Sequence, residues 1–508
     1  MSQDICPVLI DGSWRQAQCY DSFVAENPAT GTPLEAAYPK SEWEDLEAAI
    51  SAAAKAATAM QEMDPQQIAD FLNAYANEIE THATDICELA SMETGYPVKP
   101  RLQDVELPRT TGQLRQAARA AVDPSWRLPT VDTEANIASI LEPVGPVVVF
   151  GPNNFPLAFN GIAGGDFAAA IAAGNPVIAK AHSSHPGTCH LLAACAQRAA
   201  SATGMPAGTV QLIFGIRRSD GERLVADPRI GAAAFTGSRT AGMALKSSAD
   251  AVGKPIYLEM SSVNPVVILP GALAERADEV AGELVTSALM GTGQFCTNPG
   301  IVFLVAGGET DAFLEKLARL YDEQPCGTLL SKGTQQGLVE GIEALVKAGA
   351  EVVCGGRPAA REGYAWSNTL LRVSGERFLA EAEALQTEAF GNATLAVLAE
   401  NVDQLAALLS RCEGNLTGCV YSAKDGRDDV AYKPVAQALR PRVGRLLNDK
   451  MPTGVAVSPA MNHGGPFPAT GHPHFTAVGI PAALRRFTRL ACYDNVRPER
   501  LPAVLRQV

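Results

Sequence analysis

One cysteine and one glutamate have the residue types and surroundings that covalent catalysis uses. Cys296 lies in residues 291–300, which are rich in glycine, and Glu259 lies in residues 257–262. A thiolate is the strongest nucleophile among unmodified side chains, and small neighbours let a substrate carbon reach the sulfur while backbone N–H groups face a developing oxyanion. A nearby carboxylate can activate water. The pair predicts formation and hydrolysis of an acyl group. The alternative is that Cys296 is an ordinary buried cysteine and Glu259 an ordinary surface carboxylate, neither with a catalytic role.

Composition limits what this site can act on. The 508-residue chain is 47% hydrophobic, which is enough for two or three core-forming units. Its net charge of −14 disfavours binding to nucleic acid or to an anionic membrane, because both need a basic surface. The amino terminus has no basic and apolar leader, and no apolar run reaches the roughly 18 residues of a membrane helix, so we expect a cytoplasmic protein. The 11 cysteines form no C-x-x-C pair, so we expect reduced thiols and no metal site.

Turn and cap signals near the amino terminus predict a hairpin and two helices. Residues 11–12, Asp-Gly between apolar residues, predict a hairpin turn. Ser41 and Glu44 match a capping box ahead of an alanine-rich helix, and Asp64 followed by Pro65 predicts the start of the next helix.

Further along the chain, apolar strands alternate with helical segments. The strands are predicted at residues 147–150, 176–179 and 210–214, and the helices at 167–173 and 191–202. Continuous apolar strands between helices predict a parallel sheet covered on both faces.

Ligands bind such sheets at the carboxyl ends of the strands, and three loops there carry unusual residues. These are residues 151–156, 180–183 and 235–242. The last contains a Gly-Ser turn that opens a helix, which suits a pyrophosphate resting on backbone N–H groups. It lacks G-x-G-x-x-G, and each loop alone also fits an ordinary helix start or a solvated lysine.

The same elements in the same order resemble the NAD(P)-dependent aldehyde dehydrogenase superfamily over nearly the whole chain. The matching segments are residues 10–12, 27–31, 154–156, 235–238, Glu259, Cys296, 388–391 and 414–416. The variants at residues 259–265 and 452–470 look most like the α-ketoglutaric semialdehyde (2,5-dioxovalerate) dehydrogenase branch. NADP-dependent medium- and long-chain fatty aldehyde dehydrogenases are the alternative.

The resemblance implies an α/β fold with two parallel-sheet domains and a β-strand oligomerisation arm. It places the cofactor domain at residues 1–120 and 143–260, the catalytic domain at 261–479, and the arm at 121–142 and 480–508. An exposed strand pair needs cover, so we expect a homodimer or homotetramer.

The resemblance also implies a mechanism. Cys296 attacks an aldehyde, the Asn154 amide and the Cys296 N–H hold the oxyanion, hydride passes to NAD or NADP, and Glu259 activates the water that releases the acid. Lys180 is expected on the adenosine ribose, Ser238 on the pyrophosphate, and Glu388 with Phe390 on the nicotinamide half. The complete set of expected cofactor residues is Phe150, Lys180, Ser183, Arg218, Phe235, Thr236, Gly237, Ser238, Glu388 and Phe390.

Cofactor choice depends on position 183, where relatives often carry a glutamate. Ser183 removes the charge that would repel a 2′-phosphate, so we expect NADP⁺ to be accepted. Arg217 and Arg218 are candidates to meet that phosphate, although two loop arginines are also commonly solvated.

The predicted helix at residues 106–115 supplies candidate substrate residues. Arg109 and Gln113 are four apart and share a face, and Arg109 is the candidate anchor for a substrate carboxylate. The alternative is that Arg109 pairs with Glu106 on the helix surface. Phe155 and Phe467 would instead suit a long alkyl aldehyde.

Two departures from the family pattern leave other classes of protein open. Asn153 replaces the usual aromatic residue, and residues 260–262 are Met-Ser-Ser where Leu-Gly-Gly is usual. An inactive binding or structural paralogue is therefore an alternative. An acyl-CoA-forming relative is disfavoured, because thioester transfer to a thiol does not need Glu259.

Overall fold

The computed structural model describes residues 5–506, so residues 1–4 and 507–508 of the predicted domains lie outside it. Its strands are β1 (Val8–Ile10), β2 (Ser13–Arg15), β3 (Cys19–Asn27), β4 (Thr32–Ser41), β5 (Thr130–Asp132), β6 (Ile137–Pro143), β7 (Val147–Phe150), β8 (Val177–Lys180), β9 (Val210–Ile213), β10 (Ala232–Thr236), β11 (Ile256–Glu259), β12 (Val266–Ile268), β13 (Ile301–Val305), β14 (Glu351–Cys354), β15 (Thr369–Ser374), β16 (Ala393–Ala399), β17 (Asn415–Tyr421), β18 (Val443–Asn448) and β19 (Thr488–Asp494).

Helices cover both large sheets. They are α1 (Trp43–Met60), α2 (Pro65–Thr81), α3 (Ala83–Thr94), α4 (Leu107–Val122), α5 (Gly165–Ala172), α6 (Pro186–Ala202), α7 (Arg218–Ala226), α8 (Arg239–Asp250), α9 (Pro270–Leu289), α10 (Gly308–Glu323), α11 (Lys332–Lys347), α12 (Gly375–Ala380), α13 (Val402–Ser410) and α14 (Asp429–Leu439). Between residues 5 and 506, every helix is too short or too polar to cross a membrane.

The first sheet has seven strands in the order β11-β10-β7-β8-β9-β1-β2. Strands β7 to β11 run parallel, and the antiparallel hairpin β1–β2 extends the sheet beyond β9. From β7 the chain adds β8 and β9 on one side and β10 and β11 on the other. The neighbours β7 and β10 therefore form a switch point, where parallel α/β sheets bind ligands. The parallel sheet predicted from apolar strands is confirmed, since those strands are β7, β8 and β9.

The second sheet has the order β14-β15-β16-β13-β12-β17-β18, and only its edge strand β14 is antiparallel. Side chains of a strand alternate between faces. In β12, Val267 packs into the core on one face, and Val266 and Ile268 pack into the core on the other. Two separate parallel sheets confirm the predicted fold class.

A third sheet, β19-β6-β5, is antiparallel. Strand β19 pairs with β6 so that Leu490 faces Leu141, which is the pairing expected for the arm. Leu490 is 69% exposed.

The core of the first sheet includes residues from the far end of the chain. Phe475, Leu484 and Phe487 are buried in it together with the apolar residues of β7 and β8. The Asn175 amide also donates to the Phe487 carbonyl, at 3.0 Å. The first sheet therefore depends on a segment that follows the whole second sheet in sequence.

Local cap predictions had different outcomes. Asp11 and Gly12 both have positive φ, as the predicted hairpin turn requires, and Asp64 accepts a hydrogen bond from the Gln66 N–H at the start of α2. The prediction of a capping box at Ser41 is wrong. Ser41 is the buried last residue of β4, so Glu42 takes the N-cap position of α1 without a side-chain hydrogen bond.

Candidate active site

The loop that carries Cys296 has a backbone path that glycine permits. Gly293 has φ 70°, and a Cβ on it would lie 2.0 Å from the Gly391 carbonyl oxygen. The next residue, Gln294, is fully buried, and its amide nitrogen donates to the carbonyls of Gly291 and Thr328 at 3.1 and 3.0 Å. These contacts fix the backbone immediately before the cysteine.

Glu259 is the last residue of β11 and is 2% exposed. The segment after it is tied to the cysteine loop by two buried asparagines. Asn415 Oδ1 accepts from the Val263 and Asn264 N–H groups at 2.9 and 3.0 Å, and Asn264 Nδ2 donates to the Cys296 carbonyl at 2.8 Å. Carboxylate and thiol are thereby held in one rigid hydrogen-bonded unit.

A third group, His463, joins them, and the sequence reasoning missed it. His463 Nε2 lies 3.3 Å from Cys296 Sγ and 3.0 Å from Glu259 Oε1, and the residue is 1% exposed. Its loop is packed backbone to backbone, since a Cβ on Gly464 would lie 2.1 Å from the Phe475 carbonyl oxygen. The sequence signal available was a histidine beside two glycines in a segment that had already been matched to the family.

Burial raises the pKa of the Cys296 thiol well above its ordinary value, the neighbouring Glu259 carboxylate raises it further, and the Arg109 cation opposes the shift. The thiol is therefore protonated at neutral pH. It needs a proton acceptor to become a nucleophile, and His463 is in contact with it.

Asn154 follows β7 and is 5% exposed. Its side-chain amide donates to the Gln294 carbonyl at 3.0 Å. Its own carbonyl accepts from Arg101 at 3.2 Å, and Arg101 also pairs with the buried Glu106 at 2.9 Å. The cation thus supports the loop that presents Asn154.

Aromatic rings surround Arg101. Its guanidinium lies 5.0, 4.5 and 5.2 Å from the ring centroids of Tyr96, Phe155 and Phe295. Phe155 and Phe295 also pack edge to face at 5.1 Å, and Phe295 directly precedes Cys296. One cation, whose side chain is 13% exposed, therefore joins the Asn154 loop to the cysteine loop.

A single cavity of about 490 Å³ connects these residues to the switch point of the first sheet. That volume falls in the range of small-molecule and cofactor sites. Ten residues singled out from the sequence line this cavity: Asn153, Asn154, Phe155, Thr236, Gly237, Ser238, Glu259, Cys296, Glu388 and Phe390. Phe150, Lys180, Ser183, Arg218, Phe235, Arg109, Gln113 and Phe467 lie outside its lining.

The cavity has a helix amino terminus on one side. Ser238 is the N-cap of α8, its hydroxyl accepts from the Ala241 N–H, and residues 237–238 are exposed. The Gly237 N–H donates to the Glu259 carbonyl at 3.1 Å, which joins this turn to β11. An exposed helix start beside a cavity can receive a phosphate.

The opposite side carries a carboxyl group. Burial raises the pKa of Glu388 to about 7, against hydrogen bonds from the Ser261 hydroxyl and the Ser262 N–H. A carboxylate there can accept hydrogen bonds from ribose hydroxyls. Helix start and carboxyl together are a donor and acceptor set that fits a dinucleotide.

The adenosine side involves strand β8 and the loop after it. Lys180 is the last residue of β8, and burial lowers its pKa. Ser183 is exposed, and Arg218 is exposed at the start of α7. Arg217 is paired with Glu42 and lies 3.7 Å over the Tyr20 ring, so it already has partners. His182, which lines the cavity, was missed by the sequence reasoning; burial lowers its pKa and keeps the imidazole neutral.

Arg109 lies on α4 beside the aromatic wall of the cavity. Its Nη1 donates to the Val455 carbonyl at 2.7 Å, and its guanidinium lies 5.1 Å over the Phe159 ring. In the described part of the chain, Nε and Nη2 of Arg109 are buried without a hydrogen-bond partner. The proposed pairing with Glu106 does not form, because Glu106 is bound to Arg101.

The other two candidate substrate residues have different surroundings. Gln113 is buried and donates to the Ala158 carbonyl at 3.1 Å, next to the residue that Arg109 covers. Phe467 is 56% exposed, with the Arg239 guanidinium 5.6 Å from its ring.

Comparisons with known proteins agree with this arrangement. A profile of the Aldehyde dehydrogenase family matches residues 14–464. The chain is 40% identical to Alpha-ketoglutaric semialdehyde dehydrogenase 2 of Azospirillum brasilense, over 95% of this chain and 93% of that protein. It is 38% identical to the Alpha-ketoglutaric semialdehyde dehydrogenase of Acinetobacter baylyi, over 91% of this chain and 89% of that one.

Solved structures share the fold at lower identity. An aldehyde dehydrogenase C mutant from Pseudomonas syringae, in complex with NAD⁺ and octanal, has a TM-score of 0.82 at 21% identity and covers 97% of both chains. An NAD⁺ complex of aldehyde dehydrogenase from Bacillus cereus has a TM-score of 0.81 at 21% identity and covers 96% of both.

Proposed function

The chain belongs to the aldehyde dehydrogenase family, and from that premise we propose that it oxidises α-ketoglutaric semialdehyde (2,5-dioxopentanoate) to 2-oxoglutarate with NAD⁺ or NADP⁺. The observation that carries the substrate proposal is Arg109, a half-buried cation beside the cavity whose Nε and Nη2 atoms are buried without a hydrogen-bond partner in the described residues. The two relatives described above are named for this same semialdehyde.

The first step is addition of the thiol to the aldehyde. The Cys296 proton passes to His463 Nε2, 3.3 Å away, as sulfur bonds to the carbonyl carbon. The oxyanion of the resulting thiohemiacetal is held by the Asn154 amide and the Cys296 N–H. For this, Asn154 Nδ2 must redirect its hydrogen bond from the Gln294 carbonyl.

The second stage converts the thiohemiacetal to the acid. Bound NAD⁺ or NADP⁺ would supply the acceptor for the hydride that leaves the thiohemiacetal carbon. A thioester on Cys296 remains. Glu259 then takes a proton from water as its oxygen adds to the thioester carbon, and the Cys296 sulfur leaves and takes back the proton that His463 Nε2 holds, which forms the acid.

Four groups of residues are proposed to hold the cofactor. Thr236 at the end of β10 and the exposed turn at residues 237–238 that opens α8 would bind the pyrophosphate, with Phe150 and Phe235 packed nearby. Lys180 would meet the adenosine ribose and Glu388 the nicotinamide ribose, with Phe390 against the ring. Ser183 and Arg218, both exposed, are proposed to accommodate a 2′-phosphate.

A carboxylate substrate fits Arg109 for an electrostatic reason. A carboxylate entering a partly desolvated site needs a cation or several hydrogen bonds. Burial lowers the pKa of Arg109, so its charge lacks full compensation and an incoming anion would supply it. The unpaired Nε–H and Nη2–H groups can donate to the two oxygens of a carboxylate in the bidentate geometry that guanidinium favours.

A fatty aldehyde is the second candidate, and one observation favours it. Phe155 and Phe159 line the cavity and pack edge to face at 5.2 Å, which gives an apolar wall that an alkyl chain could follow.

The substrates are distinguished by a panel of semialdehydes and unbranched aldehydes of increasing length, measured with the wild type and with Arg109→Ala. Removing the anchor should lower kcat/KM for the semialdehydes by about 30-fold or more, which corresponds to about 2 kcal/mol or more for a buried charge pair, with little change for the neutral aldehydes. Arg115→Ala is the matched control, since Arg115 is on the same helix and pairs with Glu80 at the surface. A wild-type preference that rises with chain length and is unchanged in Arg109→Ala would favour the fatty aldehyde.

Cofactor preference is tested at position 183. Wild type should turn over with NADP⁺, and Ser183→Glu should shift kcat/KM toward NAD⁺ because a glutamate repels the 2′-phosphate. A wild type that ignores NADP⁺ would overturn this assignment.

We also propose that the chain is a homo-oligomer joined through the third sheet, with the domain boundaries expected from the sequence. The two large sheets, which lie on either side of residue 260, support that division. The exposed Leu490 on the edge strand β19 supports an interface there.

A further inference from the structure

We propose that Cys296, Glu259 and His463 together bind a zinc ion reversibly and that the ion inhibits the enzyme. These residues offer a sulfur, a carboxylate oxygen and an imidazole nitrogen whose ligating atoms all lie within 4.8 Å of one another. Such a mixed set is typical of zinc sites with three protein ligands and one open position.

The spacing of the donor atoms is close to that of a tetrahedral site. Bonds of about 2.3 Å to sulfur and about 2.0 Å to nitrogen place those two atoms about 3.5 Å apart at a tetrahedral angle. The observed distances are 3.3 Å from sulfur to Nε2 and 3.0 Å from Nε2 to Glu259 Oε1. These two pairs of atoms need to separate by only a few tenths of an ångström to match a tetrahedral site, and the sulfur and the carboxylate oxygen lie within 4.8 Å of each other.

An unpaired atom supports the site independently of these distances. Glu259 is 2% exposed, and its second oxygen, Oε2, is buried without a hydrogen-bond partner in the described residues. An orphaned carboxylate oxygen is costly, and a cation beside it removes that cost. Thiolate and carboxylate together carry two negative charges, which Zn²⁺ neutralises.

Binding exchanges a proton for the metal. Zn²⁺ displaces the thiol proton, which leaves to solvent as the zinc–sulfur bond forms, and no electron is transferred. Cys296 and Glu259 both line the 490 Å³ cavity, so the ion can enter from it and complete its coordination with water on that side.

The bound ion would coordinate both Cys296, the proposed nucleophile, and Glu259, the proposed base. Aldehyde can no longer add to the sulfur, and Glu259 can no longer take a proton from water. This inhibition rests on the proposed function, whereas the binding rests on the geometry alone.

Cobalt spectroscopy tests the binding without any activity measurement. After chelator treatment, one equivalent of Co²⁺ should give a thiolate-to-cobalt charge-transfer band and intense visible bands of tetrahedral cobalt, and Zn²⁺ should abolish them. Cys296→Ser should lose the charge-transfer band, and His463→Asn should bind Co²⁺ more weakly by a factor of about 10 to 100 or more. Cys19→Ser, which removes an exposed thiol, is the control and should keep the spectrum.

A second measurement uses only the wild type, in case a variant does not fold. Zn²⁺ should block alkylation of Cys296 by iodoacetamide, and a chelator should restore it, with peptide mass spectrometry identifying the residue. Absence of the cobalt bands, their persistence in folded Cys296→Ser, or alkylation of Cys296 unaffected by Zn²⁺ would each overturn the site. If the cobalt-loaded protein shows these bands but the metal-free protein oxidises no aldehyde, the metal site stands and the proposed function is rejected.

Discussion

His463 Nε2 lies within hydrogen-bonding distance of two acidic groups at once. A ring nitrogen carries at most one proton, so it cannot be a full donor to the Cys296 sulfur and the Glu259 carboxylate together. A proton that His463 Nε2 takes from the Cys296 thiol therefore lies next to the Glu259 carboxylate. Ionisation of Cys296, the proposed nucleophile, is therefore coupled to the protonation state of Glu259, the proposed base.

Substitutions of the two acidic residues should stop the reaction at different steps. Cys296→Ser removes the thiolate nucleophile, so neither hydride transfer nor deacylation should occur. Glu259→Gln keeps the nucleophile and slows only the water step, so rapid mixing should show a burst of reduced cofactor followed by slow turnover. Glu134→Gln, an exposed carboxylate, should behave as wild type. Full steady-state activity in Glu259→Gln would remove Glu259 from the mechanism.

Cofactor affinity should depend on pH through Glu388. Its pKa is raised to about 7, and the ionised form is the one that accepts ribose hydrogen bonds, so affinity is present above pH 7 and is lost as pH falls. The Kd for NAD⁺ should be about tenfold higher at pH 6 than at pH 8, by the titration of one group of that pKa. Calorimetry on Glu388→Gln should show weaker binding and a flat pH profile; an unchanged slope would assign the dependence to another group.

The contrast between Cys296 and His463 shows what the sequence could reveal about single residues. Cys296 and Glu259 were identifiable because each lies in a local segment whose residue types suggest chemistry. The histidine contacts the cysteine across 167 residues of chain. Nothing in its local sequence specifies that contact, which depends on how the loop after β18 returns to the site.

At the scale of elements, the cysteine loop depends on Gly293. A Cβ in Gly293→Ala would meet the Gly391 carbonyl at 2.0 Å, and the positive φ adds strain of about 1 to 3 kcal/mol. We expect a lower Tm and a kcat reduced by tenfold or more, since the loop must move to relieve the clash. Gly282→Ala in α9 is the control, because a Cβ there has no atom within 4 Å and alanine favours helix by about 0.5–1 kcal/mol. A Gly293→Ala protein with wild-type Tm and kcat would contradict this account.

Elements were predictable where one local preference dominated. The strands β7, β8 and β9 are rich in apolar residues and buried on both faces, so their continuous apolar runs between helical segments located them. The predicted capping box at Ser41 is wrong because Ser41 is part of β4, where it pairs with Cys19 of β3. Tertiary pairing overrides a cap worth about 1 kcal/mol.

At the scale of the whole molecule, the third sheet should determine the oligomeric state. Leu490 is 69% exposed on β19, which is an edge strand in the described chain, and apolar edges are normally covered. Leu490→Asp should therefore reduce the mass measured by light scattering. Val430→Asp on α14, where the valine is 89% exposed, should leave the mass unchanged. A wild type that is already monomeric would contradict the proposed interface.

The packing of Phe475, Leu484 and Phe487 into the first core has a consequence for biosynthesis. Strands β7 to β11 leave the ribosome long before Phe475, Leu484 and Phe487 do, and the apolar surface that these three residues cover stays open until they too have emerged. In the nascent chain, the core of the first sheet is therefore incomplete while the whole second sheet is being synthesised. Chaperone contact with the ribosome-bound chain should therefore be concentrated on that surface until residues 475–487 have emerged.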